Sequence, residues 1–169
     1  MTATILTSII TFCVTFEATC LIQAYFHQVV GHGRWLRWIG KSHRESHHRV
    51  YSASNFEAPD YNRHEDSVEY TYIPAGIAVI LLAHALLPVI PGLVAFATVP
   101  ASIWMHNYLH KQYHLTNSRL LRYAWFRRKR ELHWIHHRDY RTNLGVFHHL
   151  WDRLLNTYAA AGSHPGYEK

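Results

Sequence analysis

Basic residues are missing altogether from residues 1–33 and 64–110, and cysteine is nearly missing from the whole chain of 169 residues, which has two. Cys13 and Cys20 lie seven apart in an apolar stretch, where they would share one helix face. They exclude a disulfide-stapled secreted fold, and packing is the role expected of both. The gaps in basic charge exclude something else. The formal charge is +6, yet all 17 Lys and Arg are confined to 34–63 and to Lys111 onward. A nucleic-acid groove spreads its cations through the fold and interleaves them with stacking aromatics, so this segregation argues against nucleic acid and for a membrane. No basic segment precedes the first apolar run, which is longer than the hydrophobic region of a signal peptide, so no cleavable leader is expected. The length suits one functional unit, residues 1–169.

The stretches without basic charge are the apolar ones. The run from Ile5 to Val30, interrupted by Glu17 and Gln23, is long enough at about 1.5 Å per helical residue to cross a hydrocarbon core of about 30 Å. A second run from about Tyr70 ends at Pro88-Val-Ile-Pro91-Gly92, and a third continues to about Lys111; the pair reads as a transmembrane hairpin. The expected fold is an all-α integral membrane protein with three transmembrane helices, about 5–30, 70–88 and 92–111, and a histidine-rich helical cap formed by 33–69 and 112–160. Positive charge favours the cytoplasmic side, which places the cap in the cytoplasm and the N-terminus outside, in a bacterial inner membrane or the endoplasmic reticulum. Trp35, Trp38, Trp125 and Trp134 beside Arg-rich stretches suit an interfacial belt, and the basic run 127–130 suits anionic headgroups. Residues 162–169 are expected to form a frayed tail.

What the chain has in excess is histidine: 16, against 17 Lys plus Arg. Neutral imidazole fills a core poorly and charges a surface weakly, so such enrichment points to metal. The histidines cluster as His27-x4-His32, His43-x3-His47-His48, His106-x3-His110 with His114 four further on, and His133-x2-His136-His137. Each cluster falls where the expected spans meet the cap, so four distant segments converge on one depth. Residues three or four apart share a helix face, giving stripes at His106/His110/His114 and at His133/His136/His137. His27 and His32, five apart, diverge on an ideal α-helix, so Gly31 and Gly33 are expected to end the helix there. The expected ligands are His27, His32, His43, His47, His48, His106, His110, His133, His136 and His137. Such a set exceeds the four protein ligands of a tetrahedral zinc site and suits two metal ions with open positions. Redox iron fits a nitrogen-rich site of this kind, and zinc can replace it in a purified sample.

Acidic residues available to orient the imidazoles are Asp60, Glu65, Asp66, Asp139 and Asp152. Glu17 and His84 are ionisable groups within apolar runs, where they would pair with each other, make a helix contact or line a cavity. His148 and His149 stay open among ligand, ligand support and interface, and His64 and His164 read as loop residues.

These clusters resemble the histidine boxes of the fatty acid hydroxylase and sterol desaturase superfamily, a group of membrane di-metal oxygenases, over about residues 25–158. The family's HxxxxH, HxxHH, HxxxH and HxxHH are similar to His27/His32, His47-His48, His106-Asn-Tyr-Leu-His110 and His133-Trp-Ile-His136-His137. The tail Asn143-Leu144-Gly145, Trp151-Asp152-Arg153-Leu154 and Thr157-Tyr158 is similar to the family's sequence after its last box. The second box departs: three residues separate His43 from His47 where the family has two before its HH pair, which leaves the place of His43 open. The small size and hairpin are similar to bacterial carotenoid hydroxylases as well.

The resemblance implies two irons, O2 as co-substrate, and hydroxylation or desaturation of a lipid such as a fatty acyl chain, sterol or carotenoid. It also implies electrons from a separate donor, ferredoxin or cytochrome b5 type with a reductase, because no flavin, haem or iron–sulfur motif is visible. Two other classes compete. One is a membrane protein that binds or transports metal ions on the same clusters; the other is a haem electron carrier, which accounts for two or four histidines but not for four clusters.

Overall fold

Threonine recurs every fourth residue along helix α1 (Thr2–Phe26), and that repeat decides which face turns inward. Thr7, Thr11, Thr15 and Thr19 each donate a hydroxyl to the carbonyl four residues back, at 2.6–2.8 Å, so the stripe satisfies itself and can be buried. Thr11, Thr15 and Thr19 are buried, while Ile5, Leu6, Ile9, Ile10, Phe12 and Val14 are exposed. Helix α4 (Val89–Tyr113) answers with buried Ala95, Thr98 and Ser102, small residues that let the two backbones approach. Helix α3 (Tyr72–Leu86) packs on α4 at Gly76, where a Cβ would sit 3.0 Å from Val99 and from Ile103. The result is a three-helix bundle with small polar groups inside and large apolar groups outside.

The computed structural model describes all residues except 34–35, 62–66, 164–166 and 168–169; it is helical, with no strand among the described residues. Two helices are long and apolar enough to cross a membrane: Thr2–His32, which includes a turn continuing α1, and Val89–Tyr113. With 15 residues, α3 extends about 22 Å, less than a core of about 30 Å. The break before α4 is tighter than its prolines suggest. Pro88 stands outside the helix, and Pro91 falls in the first turn, where a missing N–H costs nothing, so α4 begins at Val89 rather than Gly92.

The rest of the chain caps one end of the bundle. It forms α2 (Arg37–Ser42), α5 (Ala124–Arg138) and α6 (Leu150–Leu154), with 3-10 turns at Ser67–Thr71 and Arg119–Arg122. Arg130 braces the cap to α4: it donates to the carbonyls of Tyr113 (2.8 Å) and Leu115 (3.2 Å) at the helix's open end and pairs with Glu57 at 2.9 Å. Ala58 bonds to both sides of Leu115, through the His114 carbonyl (2.8 Å) and the Thr116 N–H (3.0 Å), and so pins the 53–60 loop to the same place.

Several expectations change. Trp134 is buried and donates to the Ala53 carbonyl at 2.8 Å, so it serves the core, whereas Trp38 and Trp125 are exposed. The basic run 127–130 is divided, with Arg127 and Arg128 at the surface and Arg130 inside. The tail is tied down where described: Gly162 N–H donates to Glu131 at 2.6 Å and Tyr167 packs on Trp134. Cys13 is exposed and Cys20 buried, both unbridged. Trp35, His64, Glu65, Asp66 and His164 lie outside the described residues.

Replacing Arg130 by Ala removes the charged donor from two carbonyls and leaves Glu57 without its partner. The expected cost is about 2 kcal/mol, a fall of roughly 4–8 °C in melting temperature, measured by thermal unfolding in detergent.

Candidate metal centre

Two of the four histidine clusters lie on π-helical turns. Side chains five apart on an α-helix diverge by about 140°, but i→i+5 hydrogen bonding brings residue i+5 back over residue i. His27–His32 is such a turn and directly continues α1, so the helix does not end at Gly31. His43–His48 is a second one, continuing α2. His43 therefore pairs with His48, five residues on, and His47 faces elsewhere; this accounts for the irregular spacing of that cluster. Gly31 is needed for the close approach of the two turns, because a Cβ there would lie 3.2 Å from the His43 ring and 3.3 Å from the His27 ring.

The α-helical clusters obey the ordinary pitch. His110 and His114 are one turn apart at the end of α4; on α5, His133 and His137 share a stripe and His136 points to its side. The outcome is two groups of five: His27, His32, His43, His48 and His136 in one, and His47, His110, His114, His133 and His137 in the other, with the ligand atoms of each all within 4.8 Å of one another. The two groups touch, the His48 and His137 rings lying 4.2 Å apart. Neither contains a thiol or carboxylate from among the described residues.

Nine of the ten expected ligands fall in these groups, and the fifth member of the second group is His114. His106 stands outside both: it is buried, meets Tyr72 edge to face at 5.2 Å, and its ring is 6.2 Å from that of His110. The stripe offers two overlapping HxxxH pairs. Because α4 reaches Tyr113 and His114 caps it, the later pair faces α5.

The nitrogen positions fit metal. Nε2 atoms approach one another at 3.1 Å (His27 and His43), 3.1 Å (His43 and His48) and 3.2 Å (His32 and His136) in the first group. In the second they do so at 3.0 Å (His114 and His133) and 3.2 Å (His133 and His137). Two nitrogens bound to one ion at about 2.1 Å are about 3.0–3.4 Å apart when adjacent and about 4.2 Å apart when opposite, which matches these spacings. The outward nitrogens reinforce the point. His27 Nδ1 meets the Leu144 carbonyl (3.2 Å), His136 Nδ1 that of Thr142 (2.8 Å) and His114 Nδ1 that of Phe56 (2.9 Å). A carbonyl only accepts, so each Nδ1 carries the proton and each Nε2 turns a lone pair toward its neighbours, an arrangement that a shared cation resolves. His48 Nδ1 and His137 Nδ1 are buried without hydrogen-bond partners among the described residues. Burial, reinforced by neighbouring imidazoles, holds His47, His48, His133, His136 and His137 well below the usual histidine range, and the neutral form is the one that ligates.

No family model, curated protein or solved structure matches this chain. The centre is therefore judged on its own geometry.

The two groups differ in their walls. Buried Tyr51 stacks on His114 at 4.4 Å and on Tyr61 at 5.4 Å, and Phe56 meets His137 edge to face at 5.3 Å, closing the second group. The first is covered by Tyr140, 40% exposed, which stacks on His32 at 5.2 Å and leans on His48 at 4.4 Å.

Of the expected acidic partners, Asp139 and Asp152 act at one remove. Asp139 shapes the turn carrying Thr142, accepting from the Arg141 N–H at 3.1 Å while its carbonyl takes the Thr142 N–H and hydroxyl. Asp152 holds the Leu144–Gly145 amides. The direct acceptors are backbone carbonyls, which have no sequence signature. Glu17 pairs with the cap rather than with His84: Trp151 Nε1 donates to it at 3.1 Å, and His148 Nε2 lies 3.3 Å away. His84 sits exposed in the last turn of α3, and His149 donates to Asp152 at 2.9 Å.

His114→Ala is expected to lower metal content from about two ions per chain to about one, whereas His106→Ala keeps both. Elemental analysis of the two purified variants beside the wild type checks this.

Proposed function

We propose that this chain is a membrane oxygenase that holds two iron ions on its paired histidine groups and uses O2 to hydroxylate or desaturate a lipid. The observation that carries the proposal is the pair of adjacent all-histidine groups, five members each and all buried but the half-buried His32, at one end of an apolar bundle. Five nitrogen donors exceed the usual four of zinc, and such a nitrogen-rich set would suit non-haem iron. Iron so held supplies O2 activation and C–H oxidation, with electrons from a separate ferredoxin- or cytochrome b5-type donor and its reductase. The histidine spacing also resembles that of the fatty acid hydroxylase and sterol desaturase superfamily.

The protein's own part is to bind, orient and exclude. Carbonyls of Leu144, Thr142 and Phe56 fix the ring orientation of His27, His136 and His114. Tyr51, Tyr61 and Phe56 keep water from the second group. The outward apolar faces of α1, α3 and α4 give a lipid substrate lateral access through the bilayer.

Three crossings follow if the 3-10 turn Ser67–Thr71 extends α3: its five residues add about 10 Å to about 22 Å. The basic residues then place the cap in the cytoplasm and the N-terminus outside. Ion transport has less support, since Glu17 is engaged by Trp151 and His84 lies at the end of its helix, so among the described residues no line of ionisable groups runs through the bundle.

Comparing the lipids of membranes with and without the expressed protein is expected to reveal a lipid gaining oxygen or losing two hydrogens, a change absent with His110→Ala or His136→Ala. Unchanged lipids despite a metal-loaded, reduced protein supplied with O2 would sink the oxygenase. Tags at Met1 and Lys169 are expected to be reachable from opposite sides; same-sided tags would overturn the three crossings.

A further inference from the structure

The segment between α5 and α6 supplies two of the three carbonyls that orient ligands, and both serve the first group. Thr142 accepts from His136 and Leu144 from His27. Two buried side chains hold that segment in place. Asn143, at φ +50°, donates to the carbonyls of Leu132 (3.1 Å) and Ala159 (3.1 Å) and accepts the Ala159 N–H (3.0 Å), which ties the segment to α5 and to the chain after α6. Asp152, 1% exposed, accepts four bonds. One oxygen takes the Leu144 N–H (2.7 Å) and the Thr157 hydroxyl (2.8 Å); the other takes the Gly145 N–H (3.0 Å) and His149 Nδ1 (2.9 Å). The fit leaves no slack at Gly145, where a Cβ would collide with the His148 carbonyl and the Asp152 carboxylate.

We propose that Asp152 is a positioning residue for the metal held by His27, His32, His43, His48 and His136, acting through the Leu144 carbonyl on His27. This rests on the two-metal reading above. A carbonyl's direction is set by its peptide plane. The plane that carries the Leu144 carbonyl ends in the Gly145 N–H, which donates to Asp152 Oδ2. The amide on the other side of Leu144 donates to Oδ1, so the carboxylate fixes the residue from both ends. With the carbonyl aimed at Nδ1, His27 keeps the tautomer that turns Nε2 inward. The orienting bond seen in the second group lies elsewhere. There the oriented ligand is His114, and the Phe56 carbonyl that receives it is held through Ala58 at the end of α4.

The test is zinc binding to the metal-stripped, detergent-purified protein, titrated against a competing chelator. Wild type is expected to take two ions. In Asp152→Asn, which keeps size and shape but cannot accept all four bonds, one site is expected to weaken about 10–100-fold and the other to hold. Thr157→Val removes one of the four bonds and should weaken the same site by less, with Thr157→Ser restoring it. Location is read in two backgrounds: Asp152→Asn should weaken the site left in His114→Ala and leave unchanged the site left in His32→Ala. Equal weakening of both sites, or of neither, overturns the positioning role while leaving the two-metal reading intact. Failure of the wild type to bind two ions overturns that reading itself. Should Asp152→Asn not fold, the Thr157 pair decides by the same criterion.

Discussion

An imidazole buried away from water has two nitrogens to satisfy, and rings whose lone pairs all turn inward cannot satisfy one another. A neutral ring offers one donor and one acceptor, so five rings converging on one point bring lone pairs face to face at about 3 Å. Where bonds to backbone carbonyls fix the tautomer, at His27, His136 and His114, the proton is on the outside and the lone pair within. Burial then keeps His47, His48, His133, His136 and His137 uncharged, because a proton on any of them would be repelled by its neighbours and starved of water. A cation in each group would relieve both at once.

The bundle below the cap solves a different problem with the same economy of partners. Its polar side chains are hydroxyls bonded to their own helix, so α1 and α4 meet closely without needing hydrogen bonds between them. That leaves the large apolar residues to face outward, the reverse of a water-soluble bundle. The cap is anchored to the bundle at both levels: Arg130 holds the open end of α4, and Trp151 reaches Glu17 well down α1. The histidine groups thus sit on a platform braced at two depths rather than hinged at one.

The bundle was legible because the stretches without basic charge are the long apolar ones, and the helices found differ from those expected mainly at their ends. Most of the histidines were legible because clustering is a strong signal. What stayed hidden was pitch. His27/His32 and His43/His48 look mismatched on an α-helix and match on a π-helix, and nothing in the residue types announces which pitch the backbone adopts. The choice between His106 and His114 depended on where α4 ends, and a Pro-rich start gives no information about that. The orienting groups were sought among acids, and those seen for His27, His114 and His136 are backbone carbonyls, which every residue carries. Trp134 and Arg130 resembled their surface neighbours in composition but differ from them in being one turn from the histidines, on the face α5 turns inward.

The two π-turns also relate the clusters to one another. A π-turn accommodates one residue more than an α-turn over the same rise, so a histidine pair five apart on the first pitch and a pair four apart on the second span a similar gap. His27/His32, His43/His48, His110/His114 and His133/His137 are then four versions of a single two-pronged grip, written with two spacings. Each ion would be held by two such grips and one odd histidine, His136 for one and His47 for the other. Each odd histidine sits directly beside a grip that serves the opposite ion, so the stretches of chain that hold one ion also help to hold its neighbour.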